Sequence, residues 1–273
     1  MNDITKTAIK WAKELGFSDD WLEQIENYNY PGDLIPYNKK NKGLKEKNDY
    51  MLNLVSYLNY CNLFEQNFEK LGIPRKILLD SLNDIKIWSY RHKEIFDEYG
   101  VKEINWLVHL GENKMFTIGR LEYKMGRYLF PVHRKKLWPL SRVMEIHIPR
   151  GERITKENLL HSLNDAVEFF DNYFPNYKFN YFTCSSWMLD PNLKEILPKD
   201  SGIMIFQSIF DIVGSIPLVD HIRFVFGEKW NKDNIKDFEC KTSLQKKLKQ
   251  RILNKEKLSF GLGVINKNDI EKI

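Results

Sequence analysis

Between Met144 and Phe170 the chain reads MEIHIPRGERITKENLLHSLNDAVEFF, which sets a histidine, two arginines, a glycine and a threonine along a strand, a turn and a helix. Pro149 stops the strand, Gly151 frees the turn, and Thr155 stands where a helix N-cap belongs. The first-turn amides of such a helix lack intrahelical partners. With the positive end of the helix dipole they offer a seat for a pyrophosphate, and Arg150 and Arg153 can add charge to it. An exposed loop that merely carries charges is the plainer reading of the same residues. His147, just ahead of the turn, can accept a proton near neutral pH, or can be a histidine bonded quietly inside a sheet.

A second stretch, NYFTCSSWMLDPNLKEILP from Asn180 to Pro198, delivers Cys184, Ser185, Ser186 and Trp187 to the end of a strand, where ligands meet open sheets. A thiol or hydroxyl there can protonate a leaving group or act as a nucleophile. A cysteine inside a strand is more commonly a small buried hydrophobe. Trp187 offers a flat apolar wall to a substrate, or serves as a core anchor.

The elements that must position these groups change character along the chain. Up to about residue 114 the apolar spacing is helical. Ile4, Ala8, Trp11 and Leu15 precede Gly16; Tyr57, Cys61, Phe64, Phe68 and Leu71 precede Gly72; Pro74 then opens a helix through Leu78, Leu82 and Ile85. From Met115 the segments FTIGRLEY, YLFPV and VMEIHI read as strands, with Gly119 at a bulge or close backbone approach. A helix follows from Thr155 to Phe174. Beyond it, FNYFTCSSW, IMIFQSIF, HIRFVFG and FGLGVI are expected strands, with helices at PNLKEILP and around Thr242 to Lys255. The expected fold is α+β: a helical N-terminal domain over residues 1–114, then a mixed sheet flanked by helices over residues 115–273.

The totals narrow the classes of function. The 273 residues, 42% hydrophobic and 29% charged, make a globular protein of one large or two modest domains. No stretch is apolar enough for a membrane helix, and the N-terminus MNDITKTAIKWAKELGF has no signal-like apolar core, so a cytoplasmic protein without a membrane partner is expected. Cys61, Cys184 and Cys240 form no CxxC pair. The six histidines make no HExxH, so no metal is expected. GxGxxG and GxxxxGK[ST] are absent. The formal charge of +5 gathers in residues 39–47 (KKNKGLKEK) and 241–257 (KTSLQKKLKQRILNKEK), which read as solvated faces. A nucleic-acid binder using those runs is the rival from another class, but no recognisable motif supports it, and no nucleic-acid partner is expected.

Taken together, GRLEY (119–123), IHIPRG (146–151), SLNDAVEFF (162–170), CSSWMLDP (184–191) and FQSIF (206–210) resemble, in order, a bacterial GNAT-like C-terminal domain. DSLNDIKIW (80–88) and INWL (104–107) resemble the helical N-terminal domain that precedes it in these acyltransferases. The resemblance implies an acyl-CoA-dependent N-acyltransferase with coenzyme A as co-substrate. Arg150, Gly151, Glu152, Arg153, Ile154 and Thr155 would hold the pyrophosphate, and Trp187 and Arg120 would contact substrate. His147 would be the base, Cys184 or Ser186 the acid, with His147 and Cys184 flanking the reacting carbon. A non-catalytic acyl-CoA sensor of the same fold is the alternative.

Overall fold

A computed structural model of the chain describes residues 2–29, 32–34, 49–129, 131–217, 223–227 and 234–273. The lysine-rich run at 39–47 lies outside them. Two compact units emerge. The first holds residues 1–118, 122–124 and 148–150, the second residues 119–121, 125–147 and 151–273.

The first unit is built from α1 (Asp3–Glu14), α2 (Asp19–Asn27), α3 (Tyr50–Leu71), α4 (Arg75–Phe96) and α5 (Ile104–Gly111), followed by β1 (Met115–Ile118). Capping explains the boundaries. The Asn2 side chain accepts the Thr5 amide ahead of α1, and Asp49 accepts that of Leu52 ahead of α3. Gly72 (φ +69°) ends α3 in the left-handed conformation, where a side chain would be strained. Trp11, Tyr57, Cys61, Phe64, Leu78, Leu82 and Ile85 are buried, so most of the helical stripes read from the sequence form the core, while Ile4 is only partly buried and Leu71 is exposed. A polar layer threads it: Asn53, Ser56, Ser89 and His92 are all at most 3% exposed.

The remaining strands are β2 (Leu121–Arg127), β3 (Arg142–His147), β4 (Tyr181–Ser186), β5 (Asp211–Pro217) and β6 (Ser259–Asn266), and the six-stranded sheet runs β1-β2-β3-β4-β6-β5. β3 and β4 are parallel; β4–β6 and β5–β6 are antiparallel. The parallel pair is joined through α6 (Lys156–Tyr173). Ring contacts from Phe170 to Phe179 and from Phe179 to Phe182 show that α6 covers the sheet face that carries Phe182. Gly119 (φ +62°) makes the turn into β2, and the Leu121 amide donates to Ser162 Oγ of α6 at 3.2 Å.

Three expected strands are corrected. IMIFQSIF lies largely in α7 (Gly202–Ser208), whose N-cap Ser201 accepts the Met204 amide; a short apolar run does not distinguish the two periods. RFVF forms the short helix α8 (Arg223–Phe226). Among the described residues of YLFPV, Val132 makes an isolated bridge to Leu137 and no strand forms, because Pro131 withholds an amide from the ladder. β5 went unrecognised in the sequence: Gly214, a register shift between Ile212 and Gly214, and Pro217 break its alternation, which an edge strand tolerates. The last helix, α9 (Ser243–Leu253), begins where Thr242 was expected to start it.

Candidate active site

The ladder between β3 and β4 pairs Met144 with Phe182 and Glu145 with Thr183. Both strands run past it, to His147 and Ser186, while β4 stays bonded to β6 along its length. β3 therefore parts from β4 at the C-terminal end of the parallel pair. That is the crevice position where open α/β sheets take ligands.

The β3–α6 connection is held by its own side chains. Thr155 Oγ1 accepts the Asn158 amide at 3.2 Å, and Asn158 Oδ1 accepts the Thr155 amide at 3.0 Å, a reciprocal capping box. Asn158 Nδ2 donates to the Arg153 carbonyl at 2.8 Å, and Arg120 Nε to the Glu152 carbonyl at 2.9 Å. Ile154 is 9% exposed and anchors the loop. The box uses the Thr155 and Asn158 amides, which leaves those of Lys156 and Glu157 as the orphan donors of this helix start. Gly151 has no positive φ, and a Cβ added to it would meet nothing within 4 Å. In the first unit, Arg150 Nη1 donates to Glu94 at 2.5 Å, and that bond holds the Glu94 carboxyl below its usual range. Arg150 thus already has an anionic partner, whereas Arg153 shows no side-chain ion pair among the described residues.

Pleating sorts the strand residues. Val143, Glu145 and His147 share one face of β3, and Met144 and Ile146 the other. Directly paired residues share a face, so Thr183 and Ser185 lie on the side of His147, and Phe182, Cys184 and Ser186 on the side of α6. His147 and Cys184 therefore do not flank one point. His147 Nε2 lies 3.8 Å from the Glu145 carboxylate, and both side chains are about one-third exposed. Gly126 makes room for that carboxylate, since a Cβ there would sit 2.1 Å from Glu145 Oε1. Cys184 is 6% exposed; burial pushes its thiol up to about 12, so it stays protonated and is neither a nucleophile nor a useful acid at neutral pH. Ser186 accepts the Met188 amide, while Ser185 is exposed.

After β4 the chain folds back over β6. Gly261 and Gly263 admit Leu189 there, with Cβ clearances of 1.9 and 2.7 Å. Asp190, 2% exposed, accepts from the Asn192 amide and side chain and from the Ser259 amide and hydroxyl, all at 3.0 Å. Gln207 of α7 donates to the carbonyls of Met188 and Asp190. This buried knot sets the end of β4. Trp187, partly buried, packs against the cluster of Leu193, Phe226, Ile235, Leu248 and Leu258. Sequence reasoning passed over Glu145 and Asp190. The Asp-Pro pair at 190–191, a turn initiator, was the available signal for the last.

A mixed sheet whose two parallel strands are joined through a capped helix and part beside its N-terminus defines a GNAT-like acyltransferase fold. The sequence agrees in both halves: residues 115–265 match the GNAT-like C-terminal domain and residues 19–110 the N-acyltransferase N-terminal domain. The chain belongs to the GNAT-like acyltransferase family. Among solved structures, an acyltransferase in complex with CoA and 10C-teicoplanin is similar at 20% identity and TM-score 0.69, over 79% of this chain and 66% of that one. An acyltransferase mutant in complex with octanoyl-CoA reaches TM-score 0.79 at 17% identity, over 96% and 88%. This chain thus spans just under two thirds of the teicoplanin-bound enzyme it matches. No protein of curated function matches it.

Proposed function

We propose that the protein is an acyl-CoA-dependent N-acyltransferase that passes an acyl group directly from the CoA thioester to an amine. The observation that carries this reading is the parting of β3 from β4 beside the capped start of α6. It is supported by similar folds that hold CoA, decanoyl-CoA or octanoyl-CoA, one of them together with teicoplanin and one with 10C-teicoplanin.

In this proposal residues 151–155 hold the pyrophosphate through the α6 start, with Arg153 supplying charge and Gly151 allowing close approach, while Arg150 stays with Glu94. Arg120 and Ile154 position the loop. The thioester lies between the strand ends, on the face of His147. The neutral amine attacks the carbonyl carbon, and a backbone N–H at the strand end stabilises the oxyanion. His147 takes the amine proton, with the Glu145 carboxylate 3.8 Å from its Nε2. The C–S bond breaks, and the thiolate draws a proton from water beside Ser185. Cys184 has no role in these steps. Trp187 contributes through packing rather than as a wall for the acyl chain.

Thermal shift over CoA esters of graded chain length, followed by free-thiol release with a panel of amines, tests the proposal. A ligand at 100 times its dissociation constant raises stability by about 2.7 kcal/mol. No shift with any ester would remove the CoA site. A shift without thiol release would favour the sensor reading instead.

A further inference from the structure

The connection between β2 and β3 carries apolar side chains that the fold does not use. Its inner residues are accounted for: Tyr128, Leu137 and Val143 pack with Val264, and Tyr181 Oη donates to the Lys135 carbonyl at 2.8 Å. Its outer residues are not. Leu129 is 68% exposed, Leu140 63% and Trp138 50%. The Leu140 amide donates to the Tyr128 carbonyl and the Tyr128 amide to the Ser141 carbonyl, which makes Leu129 and Leu140 neighbours across the connection. Trp138 is held edge-on against His133 at 5.2 Å. These are firmly placed groups turned to solvent.

Leu140 is the telling position. Its φ is +67°, a region where a Cβ crowds the backbone and glycine or asparagine is the ordinary choice. A leucine here costs strain, yet its side chain gains little packing within the chain. Arg127 Nη1 donates to the Leu140 carbonyl at 2.9 Å and so sets a cation beside the exposed leucine. From Met125 to Met144 there are five Lys or Arg and no Asp or Glu, as many positive charges as the net +5 of the whole chain. Arg134 and Lys135 share Asp211, at 2.9 and 2.8 Å, and this fixes the tip while leaving an excess of positive charge.

We propose that this connection is an interfacial docking device that seats the protein on an anionic lipid surface. Leu129, Trp138 and Leu140 enter the boundary between headgroups and acyl chains, and Arg127, Lys136 and Arg142 meet the lipid phosphates. No helix among the described residues is long and apolar enough to span a bilayer. A second copy of the chain is a poorer occupant, because a self-complementary contact sets this acid-free cationic segment against itself. Nucleic acid uses the cations but gains nothing from two exposed leucines.

The test is flotation of the full chain with phosphatidylcholine vesicles, with and without one-third phosphatidylglycerol. The expected result is binding to the anionic vesicles alone, weakened as salt rises from about 0.1 M to about 0.5 M. Tryptophan emission should shift to the blue on binding, and Trp138→Phe should remove that shift. The double variant Leu129→Gln, Leu140→Gly should bind at least about tenfold more weakly. Its melting temperature should hold or rise, which separates lost docking from lost folding. No binding to anionic vesicles, equal binding to neutral ones, or undiminished binding by the double variant would each overturn the proposal. So would a dimer in solution that the double variant splits, or displacement of the vesicles by a single-stranded oligonucleotide.

Discussion

α6 and α9 begin almost identically. Each follows a threonine whose hydroxyl accepts the amide three residues on, with an Asn or Gln side chain returning the bond: Thr155 with Asn158, Thr242 with Gln245. α9 lies in a basic stretch, and α6 starts just after Arg150 and Arg153. Their surroundings differ. α6 leaves the end of β3 where that strand parts from its neighbour, whereas the described residues leading into α9, 234–242, form no strand. Three of the four cations of α9 are also engaged: Lys247 donates to the Ile196 carbonyl, Lys249 to those of Lys236 and Phe238, and Arg251, 8% exposed, reaches Glu195, Glu256 and the Asn192 carbonyl. A capped basic helix start is a local feature that sequence specifies well. Only the strand before it and the gap beside it turn one of the two into a candidate site. The engaged lysines likewise weaken the nucleic-acid reading of 241–257.

The sharpest way to break this comparison is at the strand ahead of α6. His147→Ala should lower turnover by about 100- to 10,000-fold with ester binding largely kept, in steady-state kinetics alongside direct titration. Unchanged turnover would leave the α6 start a binding site with no assigned base. His92, on α4 of the first unit, provides the contrast. It is 3% exposed, its ring nitrogens have no hydrogen-bond partner among the described residues, and burial, with Lys102 nearby, pushes its pKa down to about 4. The unfolded chain, with a pKa near 6.5, takes up this proton first. Stability should therefore be full above about pH 6.5 and fall by up to about 3 kcal/mol as pH drops towards 4. Denaturant unfolding across that range should show the slope, and His92→Phe should flatten it without altering turnover at neutral pH. A persistent slope would assign the acid sensitivity elsewhere.

Why some of this was legible is clear from particular residues. Gly16, Gly72, Thr155 and Thr242 mark helix ends through local backbone chemistry, so those boundaries follow from sequence alone. Residues 202–208 and 211–217 misled because an apolar run takes its conformation from what it packs against, and β5 is an edge strand broken by Gly214 and Pro217. At the site, the strand-turn-helix was readable. The facing of its residues was not: which side of the sheet receives His147 and which Cys184 depends on the β3–β4 register, a contact across some forty residues. Glu145 was passed over for the same reason, since only pleating aligns it with His147.

A smaller effect separates the two caps themselves. Thr155→Ala and Thr242→Ala should each cost about 1 kcal/mol of stability, since each leaves a first-turn amide unpaired. Only the first should also weaken CoA-ester binding, because it disturbs the loop that Asn158 ties through the Arg153 carbonyl. Paired denaturation and titration of both variants would show this. Equal loss of binding in the two would mean that fold stability, and not the α6 start, governs affinity.

Gly151→Ala should have the smallest effect on stability and is the most discriminating variant for that reason. The position needs no positive φ, and its Cβ would face open space. Alanine should therefore be neutral or stabilise by about 0.4–1 kcal/mol, through the lower entropy of the unfolded chain. Nothing among the described residues explains a glycine there. If a pyrophosphate lies against the backbone at this point, the added methyl should weaken CoA-ester binding severalfold while the melting temperature holds or rises. Unchanged affinity would move the ligand away from residue 151, leaving Arg153 and the Lys156 and Glu157 amides as the contacts to test next.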